Sequence, residues 1–428
     1  MSIGVPPAIP DGSNPSRVVW LDGLRGIAAI QVVLLHYASA FLPGIGLLDP
    51  ALIHYNWETI FIRTPLFVPF DGYSAVYIFF VLSGVSLTYA FSRQPVRFLR
   101  NILRRIVRLG LPMAGATLLA AIWFAMWPDA HVRAGTITRS LNWLAAGGPA
   151  TVSAGSLLHQ IGLEGMFAGY AGISVLPARI QSLLGLIPLM TSFDAPLWSL
   201  HIELAGSVMI LGLVMLKDAI RPPIHTTVCV ILLFMLSASF LGLFIVGHLA
   251  ARWLRTPSSR RSNPMLGSGL VCLGILLCTS KTMDVFEGLR WILPGPFLGR
   301  WEYPGVVQPM YGAVALFFGI CWLPRLQVWL GVKPVRWFGK ISFSLYLTHW
   351  PILFTVVSAC FVAGVPHASY SQSIFMATMA GLGISILAAG LFEMFIDRPS
   401  IQLSRKFGAG DPVVTFIKPS PPRTREEQ

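Results

Sequence analysis

Apolar runs of about twenty residues, long enough to cross a bilayer, alternate with short polar or basic links along most of this chain. Stretches such as VCVILLFMLSASFLGLFIV and FMATMAGLGISILAAGLF are near-continuous, without the polar–apolar alternation of a transmembrane barrel, and so predict membrane helices. Spans are expected near residues 18–41, 75–92, 109–127, 197–216, 224–237, 239–254, 265–282, 306–323, 341–362 and 373–397. The predicted fold is therefore an all-α, polytopic transmembrane helix bundle of about ten helices with both termini cytoplasmic. The stretch 224–254 is long for one span and short for two; the charges of the links that follow favour a hairpin of two short or tilted helices. A cytoplasmic segment 1–17, a membrane domain 18–400 and a disordered basic tail 401–428 complete the expected organisation.

Four segments are expected on the outer side, at 43–74, 129–196, 283–305 and 363–372. The second is rich in Gly and Ser, and its pieces GSLLHQIGLEGMFAGY and ARIQSLLGLIPLM suit amphipathic helices resting on the membrane near an acceptor. No transporter-like internal repeat is visible. The first nineteen residues hold four prolines and no apolar run, so the first helix is expected to act as its own insertion signal.

Composition narrows the class further. With 54% hydrophobic and 11% charged residues, the chain belongs in lipid rather than in water. The net charge of +13 is dealt out in four blocks, at 93–108, 252–261, 325–340 and 398–425, between and after the apolar runs. The positive-inside rule explains such blocks and a nucleic-acid partner does not. The expected address is a multi-pass protein of the cell's inner membrane, with the lipid bilayer as its surroundings. Five cysteines without a CxxC pair argue against both a disulfide framework and a zinc site.

Chemistry enters with LDGLRGIAAIQVVLLHY. His36 follows Arg25 by eleven positions, which places them on one helix face about 16 Å apart, with Asp22 within about 60° of Arg25. Ionisable groups inside a span are costly and mark functional positions. The plainer alternative has Arg25 snorkelling to headgroups against Asp22 while His36 sits at the far interface. If the helix enters near Val18, Arg25 lies about 10 Å deep and His36 about 27 Å, near the outer edge of a core of about 30 Å.

Other polar groups are candidates beside this stripe. The loop FSRQPVRFLRNILRRIVRLGLP carries Arg93, Arg97, Arg100, Arg104, Arg105 and Arg108 without an acid. Its stripe 97, 100, 104, 108 suits a bound phosphate or pyrophosphate, with anionic lipid headgroups as the alternative. DAPLWSLHIELAGS places Asp194, Ser199, His201 and Glu203 near a membrane entrance. Glu203 is expected to pair with Arg25 or His36, or else with a neighbouring helix. In ISFSLYLTHWP, Ser342, Tyr346 and His349 form one polar stripe, open to interhelical hydrogen bonding as well as to catalysis. Ser83 and Gly84 of YIFFVLSGV permit close helix packing or face a ligand. FEMFIDRPS, with Glu393, Asp397 and Arg398, reads as a local ion pair before a helix stop at Pro399.

Taken in order, LDGLRGIAAIQVVLLHY, YIFFVLSG, the arginine-rich loop, PLWSLHIE, FGKISFSLYLTHWP and FIDRP resemble the acyltransferase-3 family of membrane O-acyltransferases, over about residues 18–400. The resemblance implies that His36 is catalytic with Arg25 on the same helix, and that Arg97 and Arg100 help hold a cytoplasmic acyl-CoA, acetyl-CoA being the favoured donor. Arg104, Arg105 and Ser83 are then donor-site candidates. Trp198, Ser199 and Glu203 correspond to the family's Trp-Ser-x-x-x-Glu stretch, and Tyr346 and His349 to its closing Tyr-x-x-His region, with the acceptor a hydroxylated sugar, glycolipid or small molecule. Three places depart from the family pattern: Val76-Tyr77-Ile78 stands where many members have Val-Asp-Leu, Val85 where Phe is usual, and Asp397-Arg398-Pro399 where Glu-x-Pro closes the chain.

Acyl transfer to a hydroxyl needs a base and a stabiliser of developing negative charge. His36 is the expected general base, its ring oriented by Glu203 or Asp22, with a covalent acyl-histidine as the variant mechanism. No metal is expected. A transporter or flippase with a polar transmembrane path is the competing class, and it predicts inverted repeats and broken midplane helices.

Overall fold

The computed structural model describes residues 19–92, 97–256, 262–282 and 307–408, and its regular elements are helical apart from two isolated bridges, Tyr170 to Ile173 and Ala171 to Pro188. The principal helices are α1 (Trp20–Phe41), α2 (Gly72–Phe91), α3 (Phe98–Met126), α4 (Trp198–Ala219), α5 (Pro222–Met235), α6 (Phe240–Trp253), α7 (Pro264–Cys278), α8 (Val307–Cys321), α9 (Pro324–Leu330), α10 (Lys333–Ile352), α11 (Tyr370–Phe392) and α12 (Arg398–Gly408). Local chemistry sets their starts. Asp71 and Asn263 accept backbone N–H groups at the heads of α2 and α7, while Pro222 and Pro264 occupy first-turn positions where no N–H is missed.

Each of the expected apolar segments coincides with a helix, but the expected number of crossings does not follow. Among the described residues six helices are long and apolar enough to span: Trp20–Phe41, Gly72–Phe91, Phe98–Met126, Ala195–Ala219, Lys333–Gly364 and Tyr370–Lys406. A seventh arises if α8 and α9, bent by 98°, act as one span. The hairpin helices α5 and α6 have 14 residues each, and α7 has 15. At 1.5 Å per residue they reach only about 21–23 Å, short of a core about 30 Å thick. Hydropathy recognises apolar segments, and helix length shows which of them are long enough to cross.

The expected stop at Pro399 is also corrected. A π-turn over Glu393–Asp397 carries the chain from α11 into α12, which continues to Gly408. Pro399 falls in the first turn after that wide turn, where its missing N–H costs little. The expected local pair is present, with the Arg398 guanidinium on both oxygens of Glu393 at 2.8–3.1 Å. The segment expected at 283–305 and most of the expected tail lie outside the described residues.

Two glycine seams set the helix register. A Cβ on Gly339 of α10 would lie 1.9 Å from the Asp22 carbonyl oxygen of α1, and one on Gly26 would lie 2.6 Å from the Gly339 nitrogen. The two backbones therefore touch near Gly26 and Gly339, and each helix runs on in parallel from that contact. Likewise a Cβ on Gly84 of α2 would meet the Phe244 carbonyl of α6 at 2.3 Å, and one on Gly247 would meet Val81 O at 2.2 Å. Small residues are what allow such approach in lipid, where no hydrophobic force draws helices together. The surrounding core joins Leu24, Ala28 and Val32 of α1 to Phe80 and Val81 of α2, Leu200 of α4 and Phe244 of α6.

Candidate active site

The register of α1 on α10 fixes the chemistry. Ten residues beyond the Gly26–Gly339 contact on both helices stand His36 and His349, with His36 Nδ1 2.7 Å from His349 Nε2. Hydrogen-bond partners assign the protons. His349 Nδ1 lies 2.9 Å from the Leu345 carbonyl, which can only accept, so that nitrogen carries the hydrogen. In the neutral ring Nε2 then accepts, His36 Nδ1 donates to it, and the lone pair of His36 is left on Nε2. Trp350 closes one side of His36 edge-on at 5.0 Å between ring centroids, and Trp143 stands at 5.7 Å. The Trp350 Nε1–H is buried without an acceptor among the described residues.

The expectation that Glu203 or Asp22 orients the His36 ring is corrected here, since His349 holds that place. Sequence spacing within one helix could not show a partner on another helix 313 residues away. Glu203 instead pairs with Arg105 of α3, whose Nε also donates to Ser207 Oγ at 2.8 Å. Glu203 thus sits with the arginine stripe and away from the imidazoles. Arg25 donates to Ser86 Oγ of α2 at 3.3 Å.

Below the imidazole pair a cavity of about 790 Å³ opens at the basic end of the bundle. Its wall includes Arg25, Ser83, Arg105, Ser199, Glu203 and Tyr346, all expected from the sequence. Tyr346 stands at its inner end, one turn before His349, with its hydroxyl donating to the Pro196 carbonyl at 3.0 Å. Ser199 donates to the same carbonyl at 3.1 Å. Trp198 lies outside the wall, packed on Phe80 and Phe240. Arg97, Arg100 and Arg104 are likewise absent from the wall and continue the α3 stripe outward from it, Arg97 exposed just before the helix start.

The mouth is completed by Arg108, the last member of the expected phosphate stripe, and by cations of α10 that were expected only as topology signals. Arg108 pairs with Asp397 and lies over the Phe343 ring at 5.1 Å. Lys340 is 3.8 Å from Glu393, while Lys333 and Arg336 line the cavity without an ion pair among the described residues. Positions 333, 336 and 340 share one helix face, a spacing that was legible as a binding stripe.

The segment 129–196 packs onto the bundle and is held together by buried polar side chains. Gln160 donates to the Tyr170 hydroxyl at 2.6 Å and accepts Phe193 N–H at 3.1 Å, and Glu164 accepts Ile187 N–H at 2.8 Å. Burial raises the Glu164 carboxyl above its usual range. Asp194 is fully buried with neither oxygen partnered among the described residues, and desolvation pushes its carboxyl well above the usual range. This segment is what brings Trp143 over His36.

Comparison with known proteins gives the family of the chain. Residues 18–394 match the family model of the acyltransferase-3 family, described as an acyltransferase domain. The chain is 25% identical to O-acetyltransferase PaAT-1 of Phomopsis amygdali, a match covering 90% of this chain and 83% of that protein. No solved structure matches. Because the match takes in both imidazole-bearing helices and nearly all of the bundle between them, the chain belongs to the acyltransferase-3 family and is an acyltransferase.

Proposed function

We propose that this protein moves an acyl group, acetyl in the first instance, from cytoplasmic acyl-CoA to a hydroxyl of a carbohydrate, glycolipid or other small acceptor, with His36 as general base. The observation that carries the reading is the His36–His349 pair. Its hydrogen bonds leave the bare lone pair on His36 Nε2 and hold the ring in one orientation. The acceptor hydroxyl gives its proton to Nε2 as its oxygen attacks the thioester carbonyl, and Nε2 returns that proton to the departing CoA thiolate as the C–S bond breaks. His349 is a positioning residue, accepting from Nδ1 throughout and sharing the charge that forms on the His36 ring.

The donor is assigned to the basic cavity. Its phosphates suit Lys333, Arg336 and Arg108 at the mouth, with Arg97, Arg100 and Arg104 extending that field outward. Along α10, Lys333 to Tyr346 is about 20 Å, a distance an extended pantetheine arm covers, so the thioester would arrive beside Tyr346 and beneath His349. The acceptor approaches from the Trp143 side. The fungal relative's name, O-acetyltransferase, favours acetyl transfer to oxygen.

The test is purified protein in nanodiscs with labelled acetyl-CoA and a panel of sugars, glycolipids and alcohols. His36→Gln is expected to abolish transfer with thermal stability unchanged, and His349→Ala to lower kcat by about 10²-fold at constant donor KM. Transfer retained by folded His36→Gln would refute the assignment of the base.

A further inference from the structure

We propose that His225, Cys229 and His248 form a three-coordinate site for a thiophilic cation, Cu⁺ in preference to Zn²⁺, on the α5–α6 hairpin. His225 and Cys229 are one turn apart on α5 and His248 stands on α6, all three buried, with their ligand atoms within 4.8 Å of one another. Cys229 Sγ lies 3.8 Å from both His225 ring nitrogens. That spacing leaves the thiol and the imidazole close enough to share one ion.

Both imidazoles are held in the tautomer a metal requires. Thr88 spends its only hydroxyl hydrogen on the Gly84 carbonyl at 2.7 Å, so its oxygen can only accept from His248 Nδ1 at 2.9 Å. The hydrogen is therefore on Nδ1, and His248 Nε2 is left as a buried lone pair without a partner. His225 Nε2 lies 3.0 Å from the Leu213 carbonyl, which fixes the hydrogen there and leaves the lone pair on Nδ1. Outer-shell acceptors that orient an imidazole in this way accompany bound metals.

The identity of the ion follows from charge. Arg252 Nη1 stands 3.1 Å from His225 Nδ1 and 3.4 Å from Thr226 Oγ1. A bound ion takes the Nδ1 lone pair, and the guanidinium keeps the Thr226 hydroxyl and its partly exposed surroundings. With Zn²⁺ the thiolate site keeps a positive charge beside this arginine, whereas with Cu⁺ it is neutral. Binding displaces the Cys229 thiol proton to buffer and involves no change of oxidation state. Soft thiolate and imidazole in a three-coordinate set also suit Cu⁺. Such an ion joins α5 to α6, and through Thr88 it braces α2, whose Ser83, Ser86 and Leu87 line the donor cavity.

The test uses full-length protein in detergent, reduced, on a Cys272→Ser, Cys360→Ser background that removes the exposed thiols. After loading with Cu⁺ or Zn²⁺ and dialysis, metal content and thermal unfolding are measured. About one equivalent of Cu⁺ with a raised Tm is expected, lost in Cys229→Ser and in His248→Gln. Arg252→Gln, which removes the competing donor, should bind Cu⁺ roughly tenfold more tightly. Equal Cu⁺ retention by Cys229→Ser, or none by the parent, overturns the site, and preferential retention of Zn²⁺ overturns the choice of ion. These readouts do not depend on acyl transfer.

Discussion

Replacing Gly339 by Ala perturbs the site from a distance, and the structure sets the size of the effect. The added Cβ would lie 1.9 Å from the Asp22 carbonyl oxygen, a backbone atom that cannot rotate away. Reaching 3.0 Å, the closest that real Cβ contacts come, requires α10 to retreat from α1 by about 1.1 Å. If the helices part as rigid rods, the His36–His349 separation grows from 2.7 Å to about 3.8 Å, beyond hydrogen-bonding range. The His36 ring then loses the acceptor that fixes its tautomer. Misplacement of a catalytic group by about 1 Å costs on the order of 10²-fold in rate, or about 2.7 kcal/mol of barrier. The assay is kcat for acetyl transfer in nanodiscs, with Gly383→Ala as control, since a Cβ there meets nothing within 4 Å. Thermal unfolding establishes that both variants are folded. A folded Gly339→Ala protein whose kcat stays within about twofold of the parent would refute the claim that this backbone contact positions the base.

Three further outcomes follow from the same structure. Glu203→Met leaves the Arg105 guanidinium mostly buried with only Ser207, and should cost about 3 kcal/mol in denaturant unfolding, whereas Arg105→Met with Glu203→Met recovers most of it; equal losses would show that the pair is not coupled. Lys333→Ala with Arg336→Ala should raise donor KM by roughly tenfold at unchanged kcat, because phosphate contacts bind ground and transition states alike, and Arg97→Ala with Arg100→Ala should do less. Asp71, buried at the head of α2, has its carboxyl pushed up to about 6 by desolvation. Its folded pKa lies above its unfolded value of 3.8, so the native state holds an extra proton between about pH 4 and 6 and loses up to about 3 kcal/mol as pH rises through that window. Asp71→Asn should flatten this part of the Tm–pH curve, and an unchanged curve would exclude Asp71 as its origin.

Much of the site was legible along the chain. The Arg25–His36 spacing placed two polar groups on one face of one helix, and the Ser342, Tyr346, His349 stripe did the same for another, because helical periodicity is a local property. The cations at 333, 336 and 340 carried the same kind of signal, but positive-inside topology already accounted for them. Partners were another matter. Glu203 could have met any cation near its level, and nothing local favoured Arg105 over His36. The scatter of the cysteines concealed that Cys229 lies between two imidazoles, one of them on a different helix.

Sequence by itself determined the helical class, the position of each apolar helix and the polar face that each one presents, since hydrophobicity and periodicity act within a single helix. Tertiary structure decided which faces meet. The glycine contact of α1 with α10 sets a register in which His36 finds His349, and the α3–α4 packing gives Glu203 to Arg105. It also set which helices are long enough to span, because π-turns, hairpins and bends fix lengths that hydropathy leaves open. The physical reason is the same in each case. Contacts between helices depend on small residues, backbone approach and relative tilt, which are properties of pairs and are not written in any one segment.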